Sequence, residues 1–538
     1  MATATAPVAE PRPAGWRTVT REPWRTVAVA APLAIVGLLL APLFRDDIGL
    51  DGLAYVSIAR QYAEGGLPVN GYWGPMWSWA LVPLLLVGIE PLLAAAVLQV
   101  VSAVLALLAF RRLADVAGAR PAVRDAMALA ISPFLLAMAH YGVFVDVLMS
   151  AFLLLWCSEV LRRDFPTNRA VALRAGLWAG LAVLTKIYAL PFVVVHLAVV
   201  LALHLYRSRG VPGAWRRVGA AGALALVVIA VLFAPWVAAL SATYDRFTVT
   251  KSARYNVTIA GPGSEGNPIR YAGLLTPPSE EAVSIWEDPS RMPVEADGWG
   301  TGGESADRLL DNITSTVALG FDLLTDDMVV VSALGIAGTV LVLFVWRRER
   351  DEHSASRLVV TGLVAAGAIY AGGYAVLFVE RRYTWFLLLL LAVPAVLLVQ
   401  ELLAAQPARR RRWVLAAGTT LLAGTVALQA VPRMLEQADE GARAQEVASA
   451  VRDAGGVTGP VASNGFWERT AVICFELECQ FYGQPRDHEL GEGLDELLEE
   501  RGIATFVAWG EPLADPPGPE ITPDGLENVH FYDVSSGN

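Results

Sequence analysis

Long apolar runs set the first constraint on this chain. Eleven stretches stand out, at roughly 27–44, 92–110, 126–145, 147–161, 171–190, 191–206, 218–240, 328–346, 357–379, 384–403 and 413–431. A helix needs about 20 apolar residues to cross a bilayer. Lipid offers no water to a backbone amide, so runs like these must satisfy their own hydrogen bonds as helices. The expected fold is mostly α, a polytopic membrane bundle of about eleven transmembrane helices. The fourth and sixth runs are short, and the fifth and sixth adjoin. A hydrophobic content of 55% and a mean hydropathy of +0.47 exclude an ordinary soluble domain.

Arginine placement gives the expected orientation. Arg12, Arg17, Arg21 and Arg25 precede the first run, and Arg111, Arg112, Arg120 and Arg124 follow the second. Further clusters follow the fourth, sixth, eighth and tenth runs, ending with Arg409 to Arg412. Alternate connections are therefore basic, which marks them as cytoplasmic. The N-terminus is expected inside and the C-terminus outside, in a prokaryotic plasma membrane. The first 26 residues lack the apolar core of a cleavable signal, so the first run reads as an uncleaved anchor. Residues 435–538 hold 21 acidic against 5 basic side chains, whereas the whole chain carries −11. The remainder is net positive, as a bundle with basic inner loops should be, and nothing points to nucleic acid.

Three divisions follow: a cytoplasmic arm at 1–26, a bundle at 27–433 and an external α/β domain at 434–538. In the tail, "GPVASNG", "TAVICFELE" and "IATFVAWG" read as strands alternating with the helix "LDELLEERG". Cys474 and Cys479 fall there, outside, where a bridge persists if the chain turns between them. If it stays extended, an offset of five puts them on opposite faces. The loop 241–327 is long, with "GPGSEGNP" as a breaker, and such connections are usually binding loops or lids. In the loop 45–90, "YVSIARQYAEGG" reads as a short helix stopped by Gly65 and Gly66. "PMWSWALVPLLLVG" is too short to span and reads as an interfacial or re-entrant helix.

Asp46, Asp47 and Asp51 crowd the lip of the first apolar run. On residue type alone, Asp51 reads as readily as a helix N-cap with solvated neighbours as it does as a catalytic group. The stretch "LDGLAYVSIARQYAEGG" followed by "VNGYWGPMWSWALVPLLLVG" resembles the polyprenyl-phosphate-sugar-dependent membrane glycosyltransferases of the GT-C superfamily. Its echo is closest to the protein mannosyltransferase and aminoarabinose lipid A transferase group. The resemblance runs from the first span to about residue 256 and is mostly topological beyond 330. It implies a GT-C-like bundle with first-loop juxtamembrane helices. It also implies Asp51 as catalytic base on an acceptor hydroxyl, with Tyr55 four residues on beside the donor.

The same resemblance assigns Asp146 to the catalytic cavity and Lys186, in its "TK" context, to the donor phosphate. Physical cost supports a purpose for both, because a charge at a helix centre costs about 2.5–3.5 kcal/mol. A helix cap for Asp146 and snorkelling for Lys186 stay open. The aminoarabinose relatives carry a further lysine in the first loop where this chain has "YWGPM", so another cation must serve. "FVERRYTW" offers Arg381 and Arg382, against the positive-inside trend and suited to bidentate phosphate recognition; an ion pair with Glu380 is the plainer reading. Possible acceptor and loop contacts are Asp46, Asp47, Tyr72, Trp73, Arg254 and Tyr255. No metal and no other cofactor is expected, since metal-ligand spacings and phosphate-binding glycine loops are both missing.

The expected function is transfer of a sugar from a polyprenyl-phosphate donor to a glycan, lipid or protein acceptor on the outer face. Two rivals stay open. Intramembrane charges also mark secondary transporters, although these usually show paired halves with broken helices. A non-catalytic membrane protein that binds lipid or glycan is the other, and it would tolerate loss of Asp51.

Overall fold

The computed structural model describes residues 23–260, 266–293, 303–326, 328–346, 353–377, 379–457, 459–491 and 493–535. Most of the expected arm at 1–26, and arginines 347, 348 and 350, lie outside the described residues. Helix α1 is Pro23–Phe44, followed by two short helices, α2 at Gly49–Ala63 and α3 at Pro75–Leu86. The bundle continues through α4 (Pro91–Val116), α5 (Pro121–His140), α6 (Asp146–Val160), α7 (Arg169–Thr185), α8 (Ala189–Arg207) and α9 (Ala214–Thr243). After α10 (Ser252–Ala260) and α11 (Gly303–Asp326) come α12 (Val329–Val340), α13 (Ser354–Ala375), α14 (Trp385–Ala404) and α15 (Ala408–Asp453).

Among the described residues, eight helices are long and apolar enough to cross a membrane: α1, α4, α5, α8, α9, α13, the span Arg381–Ala404 and the lower part of α15. The other three expected positions are filled by α6, α7 and the segment Val329–Val345, all shorter than 18 residues. At about 1.5 Å per residue, the 15 residues of α6 reach only about 22 Å, short of a hydrocarbon core of about 30 Å. Every residue of α6 is buried inside the bundle. A helix wrapped by other helices has no lipid thickness to match.

Local chemistry sets the ends. Pro91 and Pro121 open α4 and α5 at positions where the missing N–H costs nothing. The Glu90 carboxylate caps α4, accepting from the amides of Leu92 and Leu93 at 2.8 Å each. Gly65, at φ +91°, ends α2 as expected.

Helix α15 runs unbroken for 46 residues, roughly 69 Å. That is twice the hydrocarbon thickness, so its upper half leaves the bundle and carries the tail. The expected division at 433/434 therefore falls inside one continuous helix. Gly441 lets this strut touch the first loop, because a Cβ there would sit 2.2 Å from the Asp46 carbonyl oxygen.

The tail folds as a small α/β unit. Strands β1 (Val461–Ser463), β2 (Thr505–Trp509) and β3 (Val529–Asp533) form a sheet in that order, β1 parallel and β3 antiparallel to β2. Helix α17 is Leu494–Glu500. The stretch expected as the strand "TAVICFELE" is instead helix α16, Trp467–Glu476. Its buried face, Thr470 to Phe475, packs towards α2 and α15, and the Arg60 guanidinium lies 4.7 Å from the Phe475 ring. The expected Cys474–Cys479 bridge is absent: both thiols are free and buried. Cys474 sits in the last turns of the helix and Cys479 just beyond it, their backbones joined by a 2.9 Å hydrogen bond.

Four arginines of the basic connections, Arg111, Arg112, Arg124 and Arg162, are buried in ion pairs, whereas Arg207, Arg209, Arg216, Arg217 and Arg409 are exposed. Arg111 and Arg124 both pair with Asp125, Arg124 also with Asp115, and Arg112 and Arg174 share Glu159.

Candidate active site

Gly49 turns the chain into α2 with a left-handed backbone, φ +66°. Ile48 takes the N-cap without a side-chain bond, so Asp51 is not the cap. It falls in the first turn, where the helix dipole favours a carboxylate. Its oxygens are committed elsewhere. Oδ1 accepts from the Trp286 indole at 3.1 Å, and Oδ2 lies 2.6 Å from Nη1 of Arg382.

A second ion pair stands across the same space. Helix α7 stops at Thr185, whose hydroxyl turns back to the Leu181 carbonyl at 2.8 Å. Lys186 then adopts an extended backbone, and its ammonium reaches Asp146 Oδ1 at 2.8 Å. Asp146 is the first residue of α6 and is 2% exposed. The ammonium also sits 4.0 Å from the Tyr383 ring centroid, and Tyr383 stacks on Tyr374. Arg382 in turn lies 4.3 Å from the Phe144 ring. Aromatic faces hold both cations at modest cost.

These groups line one cavity of about 490 Å³, together with Tyr55, Tyr72, Trp73, Trp286 and Glu380. Glu380 Oε2 lies 2.6 Å from Arg382 Nε. Burial pushes the Glu380 carboxyl above its ordinary range, and the guanidinium pulls it back. Tyr72 and Trp73 pack edge-to-face, and the Trp73 indole donates to the Trp286 carbonyl at 2.9 Å.

Trp286 is held by its neighbour. The Glu287 side chain is 3% exposed and accepts from Ser57 at 2.8 Å, Gln61 at 2.7 Å and the Val283 amide at 2.5 Å. Its backbone carbonyl accepts from Asn70. Burial pushes its carboxyl up to about 7, against the pull of those three donors. The segment 266–292 is thereby pinned to α2. It also joins the tail, because the Phe481 amide donates to the Val283 carbonyl at 2.7 Å.

Of the residues singled out from sequence, Asp51, Asp146, Lys186, Arg382, Tyr55, Tyr72 and Trp73 meet at this cavity. Arg381 does not: it lines a separate small cavity with Tyr141 and Trp385. Asp46 and Asp47 line a different, neighbouring cavity. Arg254 is exposed on α10, away from the ion pairs, while Tyr255 is buried behind Tyr72, ring centroids 5.1 Å apart. Sequence reading missed Trp286, Glu287, Tyr383 and Phe144. Only the suspicion attached to the loop 241–327 pointed towards the first two.

Residues 72–286 match the model of glycosyltransferase family 87, a stretch that holds Asp146, Lys186 and Trp286 but neither Asp51 nor Arg382. The fold is similar to that of ArnT from Cupriavidus metallidurans bound to undecaprenyl phosphate, with a TM-score of 0.59 at 12% identity, covering 96% of this chain and 99% of that one. The apo state of the same protein gives 0.50 at 14% identity, over 92% and 94%. The apo oligosaccharyltransferase of Archaeoglobus fulgidus gives 0.51 at 12% identity, over 89% of this chain and 69% of that one. No curated protein matches the sequence. The fold is therefore GT-C-like, and the family 87 match over residues 72–286 supports a glycosyltransferase.

Proposed function

We propose that this glycosyltransferase takes its sugar from a polyprenyl-phosphate carrier and transfers it to an acceptor hydroxyl on the outer face of the plasma membrane. The observation that carries the reading is the pair of facing ion pairs, Asp51–Arg382 and Asp146–Lys186, on one aromatic-lined cavity. The ArnT structure of similar fold holds undecaprenyl phosphate, which supports the donor class.

Chemistry assigns each group a task. The acceptor hydroxyl gives its proton to Asp51 as its oxygen bonds to the anomeric carbon. The bond from that carbon to the phosphate oxygen breaks, and the electron pair leaves with the lipid phosphate. Arg382 and Lys186 stabilise the charge that gathers there. Both cations are engaged with carboxylates in the resting site. Arrival of the phosphate competes for Arg382 and releases an Asp51 oxygen for the acceptor. Asp146 keeps Lys186 aimed into the cavity until that exchange.

Mass spectrometry of lipid extracts from a deletion strain tests this reading. One polyprenyl-phosphate sugar should accumulate and disappear on complementation with the parent gene but not with Asp51→Asn. A lipid profile identical to the parent strain overturns the donor assignment.

A further inference from the structure

Beside the catalytic cavity lies a larger one, about 680 Å³, that neither ion pair occupies. The turn from Asp46 to Gly49 forms its floor, with Arg270, the upper half of α15 at Gly441 and the start of α16 as walls. Gly49, Leu50 and Glu468 line both cavities, so the two adjoin at the first turn of α2, the turn that carries Asp51. The larger cavity thus lies next to the turn that carries the carboxylate in need of an acceptor.

Its lining defines what fits. Four carboxylates, of Asp46, Asp47, Glu468 and Asp487, line it with Arg270 and Arg469; Asp46 lies 3.4 Å from Arg45, and the Arg469 guanidinium sits 4.7 Å over one face of the Phe466 ring. Carboxylate oxygens accept from neighbouring hydroxyls, and the guanidiniums donate to hydroxyl oxygens. The negative balance disfavours a polyanion. Phe466 adds an apolar face at the rim. It is 56% exposed and takes a left-handed backbone, φ +45°, that a bulky residue rarely adopts. Trp467 lies beside it in the wall. A sugar ring has this composition, with hydroxyls around its edge and C–H groups on its faces. A peptide offers few hydroxyls to so many carboxylates.

We propose that this cavity is a saccharide subsite, which holds the terminal sugars of a neutral or cationic glycan acceptor and presents one hydroxyl to Asp51. The proposal rests on the reading of Asp51 as base. It adds the acceptor class and gives the tail domain a direct share in substrate binding.

Binding to the purified full-length protein in nanodiscs tests it, with saturation-transfer NMR for saccharides and a separate titration with undecaprenyl phosphate. The saccharide probes are trisaccharides of mannose, galactose and arabinose, with a galacturonate trimer as the polyanion. At least one neutral trisaccharide should bind, and the anionic trimer should bind more weakly. Phe466→Ala and Asp487→Asn should each weaken the trisaccharide about tenfold while undecaprenyl phosphate binds as in the parent, which also certifies the fold. Lys186→Ala should do the reverse. Unchanged trisaccharide binding in both cavity variants, or failure of all neutral trisaccharides to bind, overturns the subsite. Capture of serine-containing peptides instead overturns the saccharide class. If trisaccharides bind as described and undecaprenyl phosphate does not bind the parent, the donor reading falls and the subsite stands.

Discussion

The two faces of the bundle both bury charge, and they use it differently. At the face opposite the tail, Arg112, Arg174 and Glu159 close on one another, with Glu159 fully buried and Arg112 6% exposed. Arg111, Arg124 and Asp125 make a second knot close by, each side chain no more than 10% exposed. At the tail face, Asp51 and Arg382 remain 18% and 12% exposed, and Lys186 23%, onto a cavity edged with aromatic rings. Burial of charge is therefore a poor marker of a site by itself. A knot of charges that saturate one another locks helices together. Pairs that keep an open side can exchange partners with a ligand.

Breaking one group at each face separates the two uses. Asp51→Asn should lower sugar transfer by about 10²–10⁴-fold, the usual contribution of a positioned base. Donor binding and thermal stability should stay near the parent, because the amide keeps the shape. Radiolabelled donor turnover within a few-fold of the parent would remove Asp51 from the base role. Glu159→Ala should act in the opposite way, stranding the buried guanidinium of Arg112 and the partly exposed one of Arg174 at about 3–5 kcal/mol of stability. Turnover of the fraction that remains folded, measured in the same assay, should be unchanged. Loss of turnover per folded molecule would break the contrast between the faces.

This contrast also explains what sequence could reveal. Apolar runs name the bundle because lipid allows so few backbone solutions, and every run found a helix. Asp51, Asp146 and Lys186 are legible since each is a charge at the edge of an apolar run. The same cue marks Arg111 and Arg112, which turned out to be knotted far from the cavity. Their acid partners lie 14 and 47 residues away in sequence, and only the packing of α4 against α5 and α6 brings them together. Trp286 carried no charge cue, and its bond to Asp51 spans 235 positions. Helix α16 misled the strand reading because Val472, Ile473 and Phe475 favour strands locally, whereas packing on α2 and α15 decides the outcome. Cys474 lost its bridge by the same error.

Charge at the cavity should show a smaller, selective effect. On the proposed donor site, Lys186→Ala and Arg382→Ala should each weaken donor binding by the worth of one charge-assisted phosphate contact, about 1.5–3 kcal/mol or roughly 10- to 100-fold. Arg381→Ala, in the same turn but directed to the Tyr141–Trp385 side, should shift affinity less than about threefold. Titration with undecaprenyl phosphate in nanodiscs checks all three. Equal losses at 381 and 382 would mean that position in the turn, rather than aim into the cavity, governs donor binding.

The smallest effect concerns Glu287, whose burial resembles the knotted face although it lies beside the site. Its carboxyl is pushed up to about 7 from an ordinary 4.5. A value raised on folding means that the docked loop is favoured with the proton on. That stabilisation is complete below about pH 4.5 and is lost as pH rises through about 7. Docking of 283–288 on Ser57 and Gln61 should therefore loosen between pH 5 and pH 8, by up to about tenfold per pH unit for one proton. Amide hydrogen exchange in that segment, corrected for the chemical exchange rate, reads the opening directly. Glu287→Gln keeps the side chain neutral at every pH and can still bond Ser57 and Gln61, so its profile should be flat. Trp286 follows the loop, and Asp51 would lose its indole donor as the loop opens, so turnover in the parent should fall across the same window and hold in the variant. A parallel slope in both proteins would assign the titration to another group and leave Glu287 as packing alone.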